Sequence, residues 1–116
     1  MRCIIVDDSA RFLEAASSRL VQAGLDVVGT AMTSHEAVDK VELLRPDVVL
    51  VDISLGSESG FDLVDELAER PDPPRLVLIS TRAEADYASL TAASPAVGFI
   101  PKSRLSAEAL RELVGR

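Results

Sequence analysis

With 116 residues the chain has room for one hydrophobic core and not two, and at 47% hydrophobic and 27% charged it has the make-up of a folded globular domain. Lys and Arg number 12 against 19 Asp and Glu, and the resulting net charge of −7 repels phosphate backbones, which argues against direct nucleic-acid binding by this segment. No apolar run approaches the ~18 residues of a membrane span, and Asp7-Asp8 arrive before a signal-peptide core can form, so a cytoplasmic protein without membrane contact is expected.

The first element is the short run Cys3-Ile4-Ile5-Val6, which ends on Asp7 and Asp8. It is too brief for a buried helix and reads as a strand covered on both faces. Cys3 has no second cysteine to pair with and reads as a core thiol. Ser9 can cap a helix whose Phe12, Leu13, Ala16 and Leu20 fall on one stripe and which stops at Gly24. Residues 26–31 form a weaker strand interrupted by Gly29, as suits a sheet edge. Thr33 and Glu36 have capping-box spacing, opening a helix that turns Val38, Val41 and Leu44 inward and ends before Pro46.

The run Val48-Val49-Leu50-Val51 ends on Asp52 and is followed by a polar loop, residues 54–59, containing Gly56. A helix from about Gly60 is expected to bury Phe61, Val64, Leu67 and Ala68, with Pro71 as its stop. Leu76-Val77-Leu78-Ile79 then runs into Ser80, and Val97-Gly98-Phe99-Ile100 into Pro101 and Lys102. Between these two runs, residues 82–96 carry a thin, alanine-rich stripe that reads as a mobile or marginal helix. Leu105 and Ser106, with Leu110, match a hydrophobic staple and an N-cap, so a last helix carries Ala109, Leu110, Leu113 and Val114 inward.

Five strands alternating with five helical segments imply an α/β domain with a parallel sheet, helices on both faces and right-handed crossovers. The expectation is a single doubly wound domain over residues 1–116, flavodoxin-like (βα)5, with strand order 2-1-3-4-5. That order brings Asp7, Asp8 and Asp52 to one rim. Two carboxylates ~5 Å apart repel by roughly 3 kcal/mol at an effective dielectric near 20, so three together call for a cation. An all-oxygen donor set favours a hard ion, and Mg²⁺ suits a small site that keeps several waters. Lys102 brings a fixed positive charge to the same place, and Ser80 a hydroxyl. A site of this make-up fits a phosphoryl group, with Asp52 left to act as the nucleophile and form an aspartyl phosphate.

In their order and spacing, Asp7-Asp8, Asp52, Ser80 and Lys102 resemble the receiver domain of two-component response regulators, over essentially the whole chain. The resemblance implies that Asp52 accepts a phosphoryl group from a sensor histidine kinase or a small phosphodonor, within a phosphorelay. It implies that Asp7, Asp8, Asp52 and the backbone carbonyl of Ser54 hold Mg²⁺, with Lys102 and Ser80 stabilising the phosphoryl group. Ser80 takes the place of the family's switch hydroxyl and Phe99 that of its switch aromatic. As Ser80 turns toward the phosphoryl group, Phe99 moves into the vacated space and the face of the fourth helix, fifth strand and fifth helix is remodelled. That face is then the output surface, open to a downstream effector protein or domain or to a phosphorylation-dependent homodimer. Such a domain promotes its own phosphorylation and dephosphorylation and is not a conventional enzyme.

Three features depart from the family pattern: Pro101 precedes Lys102 and Ser103 follows it, where the family commonly has proline after the lysine, and Gly56 stands where it often has proline. Competing readings are weaker. A haloacid dehalogenase-type phosphatase wants a second acid two residues past the nucleophile, where Ser54 stands, and a flavin carrier would suffer repulsion between Asp7-Asp8 and the flavin phosphate. A receiver that binds partners without phosphorylation has no need of an intact acidic rim.

Overall fold

The short apolar runs form strands because each has two faces to bury and a core to receive each face. In the computed structural model, which describes residues 1–81 and 87–115, five parallel strands make one sheet: β1 (Arg2–Val6), β2 (Asp26–Ala31), β3 (Val48–Asp52), β4 (Arg75–Ser80) and β5 (Gly98–Pro101). Their order is β2-β1-β3-β4-β5, as expected from the sequence. Alternate residues enter opposite cores. Cys3, Ile5, Val48, Leu50, Val77 and Ile79 pack with α1 (Ala10–Gln22) and α5 (Ala107–Val114). Ile4, Val6, Val49, Val51, Leu76 and Leu78 pack with α2 (Ser34–Leu44) and α3 (Gly60–Ala68). All five β3 residues are buried, and each full burial of a Val, Leu or Ile is worth roughly 1.5–3 kcal/mol.

Local signals place the helix starts. Ser9, Thr33 and Ser106 each accept, through the side-chain oxygen, the backbone N–H three residues on. Glu36 reaches back to the N–H of Met32 at 2.7 Å, one residue before the cap itself. Arg45 closes α2 in the left-handed region at φ 47°, its N–H on the Val41 carbonyl. β2 is an edge strand, and its pairing slips between Cys3 and Ile4 so that Val28 is skipped just before Gly29.

Several details differ from the sequence reading. Residues 54–59 form a small antiparallel hairpin, Ser54–Leu55 against Glu58–Ser59, because Leu55 buries itself in the second core and Gly56 takes φ 61° at the turn. In α3 the buried side chains are Leu63, Val64 and Leu67, while Phe61 and Ala68 are only partly covered. Ala37 and Val41 are the buried residues of α2, with Val38 and Leu44 at the margin. In α5 Ala107 and Leu110 go deepest, whereas Ala109, Leu113 and Val114 flank the core. β5 starts at Gly98, where a Cβ would meet Leu113 at 2.3 Å, and Val97 is left 40% exposed. The fourth helix, α4 (Ala88–Ala93), has no side-chain cap and buries none of its residues. Of the segment read as a marginal helix, residues 82–86 lie outside the described residues. Among the described residues no helix is long and apolar enough to cross a membrane.

Two predictions follow from this packing. Cys3 is fully buried, and burial pushes its thiol from 9.0 up to about 12. The folded chain therefore keeps a proton that the unfolded chain loses above pH 9, so stability falls as pH rises through that window. Urea denaturation should show the wild type losing about 1 kcal/mol more than Cys3→Ala between about pH 8 and about pH 10; parallel losses would contradict it. The second concerns Gly60, whose N–H meets the Ile53 carbonyl at 2.7 Å and whose added Cβ would stand 2.0 Å from the Asp52 carbonyl oxygen. Gly60→Ala should destabilise the fold by about 2–3 kcal/mol in the same assay, and an unchanged midpoint would count against so close an approach.

Candidate functional site

Parallel strands share one rim at their carboxyl ends, and the residue that follows each apolar run is the first the core does not claim. β1 and β3 are neighbours with Val6 opposite Val51, so Asp7 and Asp52 follow at matching levels. Strand alternation sets their direction. Asp7 continues the Cys3-Ile5 row, Asp52 the Val48-Leu50 row and Lys102 the Ile100 row, all on the face covered by α1 and α5. One oxygen from each of Asp7, Asp8 and Asp52 lies within 4.8 Å of the others. Asp7 is fully buried and Asp52 is 5% exposed, while Asp8 opens to solvent.

Lys102 closes the cluster. Its Nζ lies 2.5 Å from Asp7 Oδ2 and donates to Asp52 Oδ2 at 3.1 Å. The contact with the fully buried Asp7 is the closer of the two ion pairs. Two backbone amides hold the other oxygens: the Ser9 N–H donates to Asp7 Oδ1 at 2.8 Å and the Ser54 N–H to Asp52 Oδ1 at 3.2 Å. Burial raises the Asp52 carboxyl, and the bonds from Lys102 and Ser54 only partly hold it down. Burial pulls the Lys102 ammonium down, but Asp7 and Asp52 outweigh it and keep the ammonium above its ordinary value. The two upward shifts thus have different causes: burial for Asp52, and the pair of acids for Lys102.

Three carboxylates against one ammonium leave two negative charges in the cluster, counted among the described residues. The residues fit a hard divalent cation: the donors are all oxygens, and Asp8 is open to hydrated ions.

The remaining sequence candidates occupy the same rim on different terms. Ser54 opens the hairpin just past Asp52. Ser80 ends β4, 4% exposed, opposite Pro101 of β5. By alternation it belongs with Leu76 and Leu78 on the other face of the sheet, where Phe99 packs half-buried. Sequence reasoning missed two residues. Gly60 brings the start of α3 against the Asp52 backbone, and its one sequence signal is a glycine directly after the N-cap Ser59. Phe12, read as part of a core stripe, lies with its ring centroid 4.4 Å from Lys102 Nζ.

Comparison with known proteins bears on the family and the fold. The response regulator receiver domain family model matches residues 3–114. A protein-glutamate methylesterase/protein-glutamine glutaminase of Archaeoglobus fulgidus is 36% identical over 103 residues, covering 88% of this chain and 30% of that protein. The DNA-binding transcriptional activator EvgA of Escherichia coli K12 is 26% identical over 102 residues, covering 88% of this chain and 50% of that protein. The chain thus spans half or less of the length of these two curated relatives. The signal receiver domain of the putative response regulator NarL from Mycobacterium tuberculosis superposes with a TM-score of 0.85 at 26% identity, covering 99% of this chain and 97% of that one. For the response regulator domain of Thermotoga maritima CheB the TM-score is 0.82 at 26% identity, with 97% and 92% covered. A family match over nearly the whole length, joined to this fold, means that the chain belongs to the response regulator receiver domain family.

Proposed function

We propose that Asp52 is the phospho-acceptor of this receiver domain, loaded by a sensor histidine kinase or by a small phosphodonor such as acetyl phosphate. The observation that carries the reading is the protonated Lys102 set 3.1 Å from Asp52 Oδ2, in a cluster that still holds two uncompensated negative charges. Asp7, Asp8, Asp52 and the Ser54 carbonyl are the residues that would hold Mg²⁺, whose contribution when bound is to neutralise charge on the phosphoryl oxygens.

A carboxylate oxygen of Asp52 attacks phosphorus as the bond from phosphorus to the donor's leaving group breaks, and the leaving group, acetate or a neutral imidazole, departs with the electron pair. Lys102 exchanges its bond to Asp52 for one to a phosphoryl oxygen, while Asp7 keeps the ammonium in place. Ser80 then donates its hydroxyl to the phosphoryl group from the other side of the rim. Phe99 follows it, and the face of α4, β5 and α5 changes shape. The event read by a partner is that change, whether the partner is an effector protein, an effector domain or a second copy of this chain. The relatives carry a methylesterase and a DNA-binding activator in their names, and this segment would act as the input to such an output. Its net charge of −7 disfavours contact with nucleic acid by the domain itself. On this reading the domain works in the cytoplasm and turns over only its own acyl phosphate.

Incubation with acetyl phosphate and Mg²⁺, followed by intact-mass measurement, should show the gain of one phosphoryl group. Asp52→Asn should abolish the gain and Lys102→Ala should slow it on the order of 100-fold. Labelling that persists in Asp52→Asn, or a wild type unlabelled by every phosphodonor and kinase tried, would overturn the assignment.

A further inference from the structure

Lys102 has a third neighbour that its two carboxylates do not explain. Its ammonium lies 4.4 Å from the centroid of the Phe12 ring, and its side chain is 13% exposed. The ring is tied to the same acid that pairs with the lysine. Asp7 Oδ1 accepts the Ser9 N–H, and Ser9 Oγ accepts the Phe12 N–H at 3.2 Å, so the first turn of α1 is anchored to Asp7. Phe12 is only partly covered, beside the buried Leu13, Ala16 and Leu20 of its helix. For packing alone an aliphatic side chain of similar bulk would serve. What an aromatic ring adds is a negative face that attracts a cation without a directional hydrogen bond.

We propose that Phe12 is a positioning residue for Lys102, its ring face holding the ammonium at the rim by cation–π attraction while the hydrogen-bond partner changes from the Asp52 carboxylate to a phosphoryl oxygen. The proposal rests on the phospho-acceptor reading above. During transfer the lysine must release Asp52 Oδ2, and in that interval solvent competes for it. The ring contact need not be broken in the exchange, because it uses no N–H direction that the phosphoryl oxygen requires. A neutral wall on one side and Asp7 on the other thus keep the charge inside the site.

The test replaces Phe12 with 4-fluoro-, 3,5-difluoro- and 3,4,5-trifluorophenylalanine by site-specific incorporation, draining the ring face with little change of shape. Initial rates of phosphoryl incorporation from acetyl phosphate with Mg²⁺ should fall stepwise, by roughly three- to tenfold at the trifluoro end. Phe12→Leu should fall at least as far, Phe12→Tyr should stay within about twofold of wild type, and thermal midpoints across the fluorinated series should nearly coincide. Independently of activity, the ε-proton resonances of Lys102 in the metal-free protein should be displaced upfield by the ring current and return to ordinary values in Phe12→Leu. A wild type that is labelled while the fluorinated series shows a flat rate overturns the positioning role and leaves the phospho-acceptor reading standing. A wild type that takes up no phosphoryl group removes both. Ordinary Lys102 ε-proton shifts in the folded wild type remove the ring contact and the proposal with it.

Discussion

Repulsion among Asp7, Asp8 and Asp52 is the constraint to which the rest of the molecule answers. At separations of about 5 Å each like-charged pair costs roughly 3 kcal/mol at an intermediate dielectric, and a buried Asp7 has little water to soften it. The fold bears this cost by burying β1 and β3 on both faces, so the acids are held at the rim by strands that cannot easily separate. Lys102 offsets one charge. On the proposed reading, the charge that remains is what a divalent ion would neutralise.

The sheet divides the labour between its faces. Asp7, Asp52, Lys102 and Phe12 belong to the side covered by α1 and α5, whereas Ser80 and Phe99 belong to the side covered by α2 and α3. The two groups meet only at the carboxyl rim. A phosphoryl group on Asp52 would stand where both can reach it, which is how chemistry on one face can be read as a change of packing on the other. α4 has no buried residue and no side-chain cap, and in the proposed function it belongs to the face that would respond.

Much of this architecture was legible in the sequence because a strand buried on both faces leaves an uninterrupted apolar signature, as three runs do, and a fourth run marks the less covered edge strand β5. The N-caps were legible for a similar reason: Ser9, Thr33 and Ser106 act on amides three residues away, within the reach of local reasoning. What depends on tertiary contact was not. The hairpin over residues 54–59 needs a pocket for Leu55, and no spacing rule announces one. That Ala37 goes deeper than Val38 is decided by how α2 packs on the sheet, which its own spacing does not state. Gly60 reads as a neutral residue until the Asp52 carbonyl is seen against it, and Phe12 disappears into a helix stripe until Lys102 is found beneath its ring.

The most direct test of the central claim is a Mg²⁺ titration of the thermal midpoint, with ionic strength matched by NaCl, in the wild type and in Asp8→Asn. A site half-filled near 1 mM would add about 1.4 kcal/mol at ten times that concentration. The account predicts a rise of roughly 5 °C in the wild type at that concentration, continuing logarithmically beyond it and lost in the variant. A midpoint that follows NaCl alone, or an equal rise in both proteins, would mean that the three carboxylates do not meet around a cation.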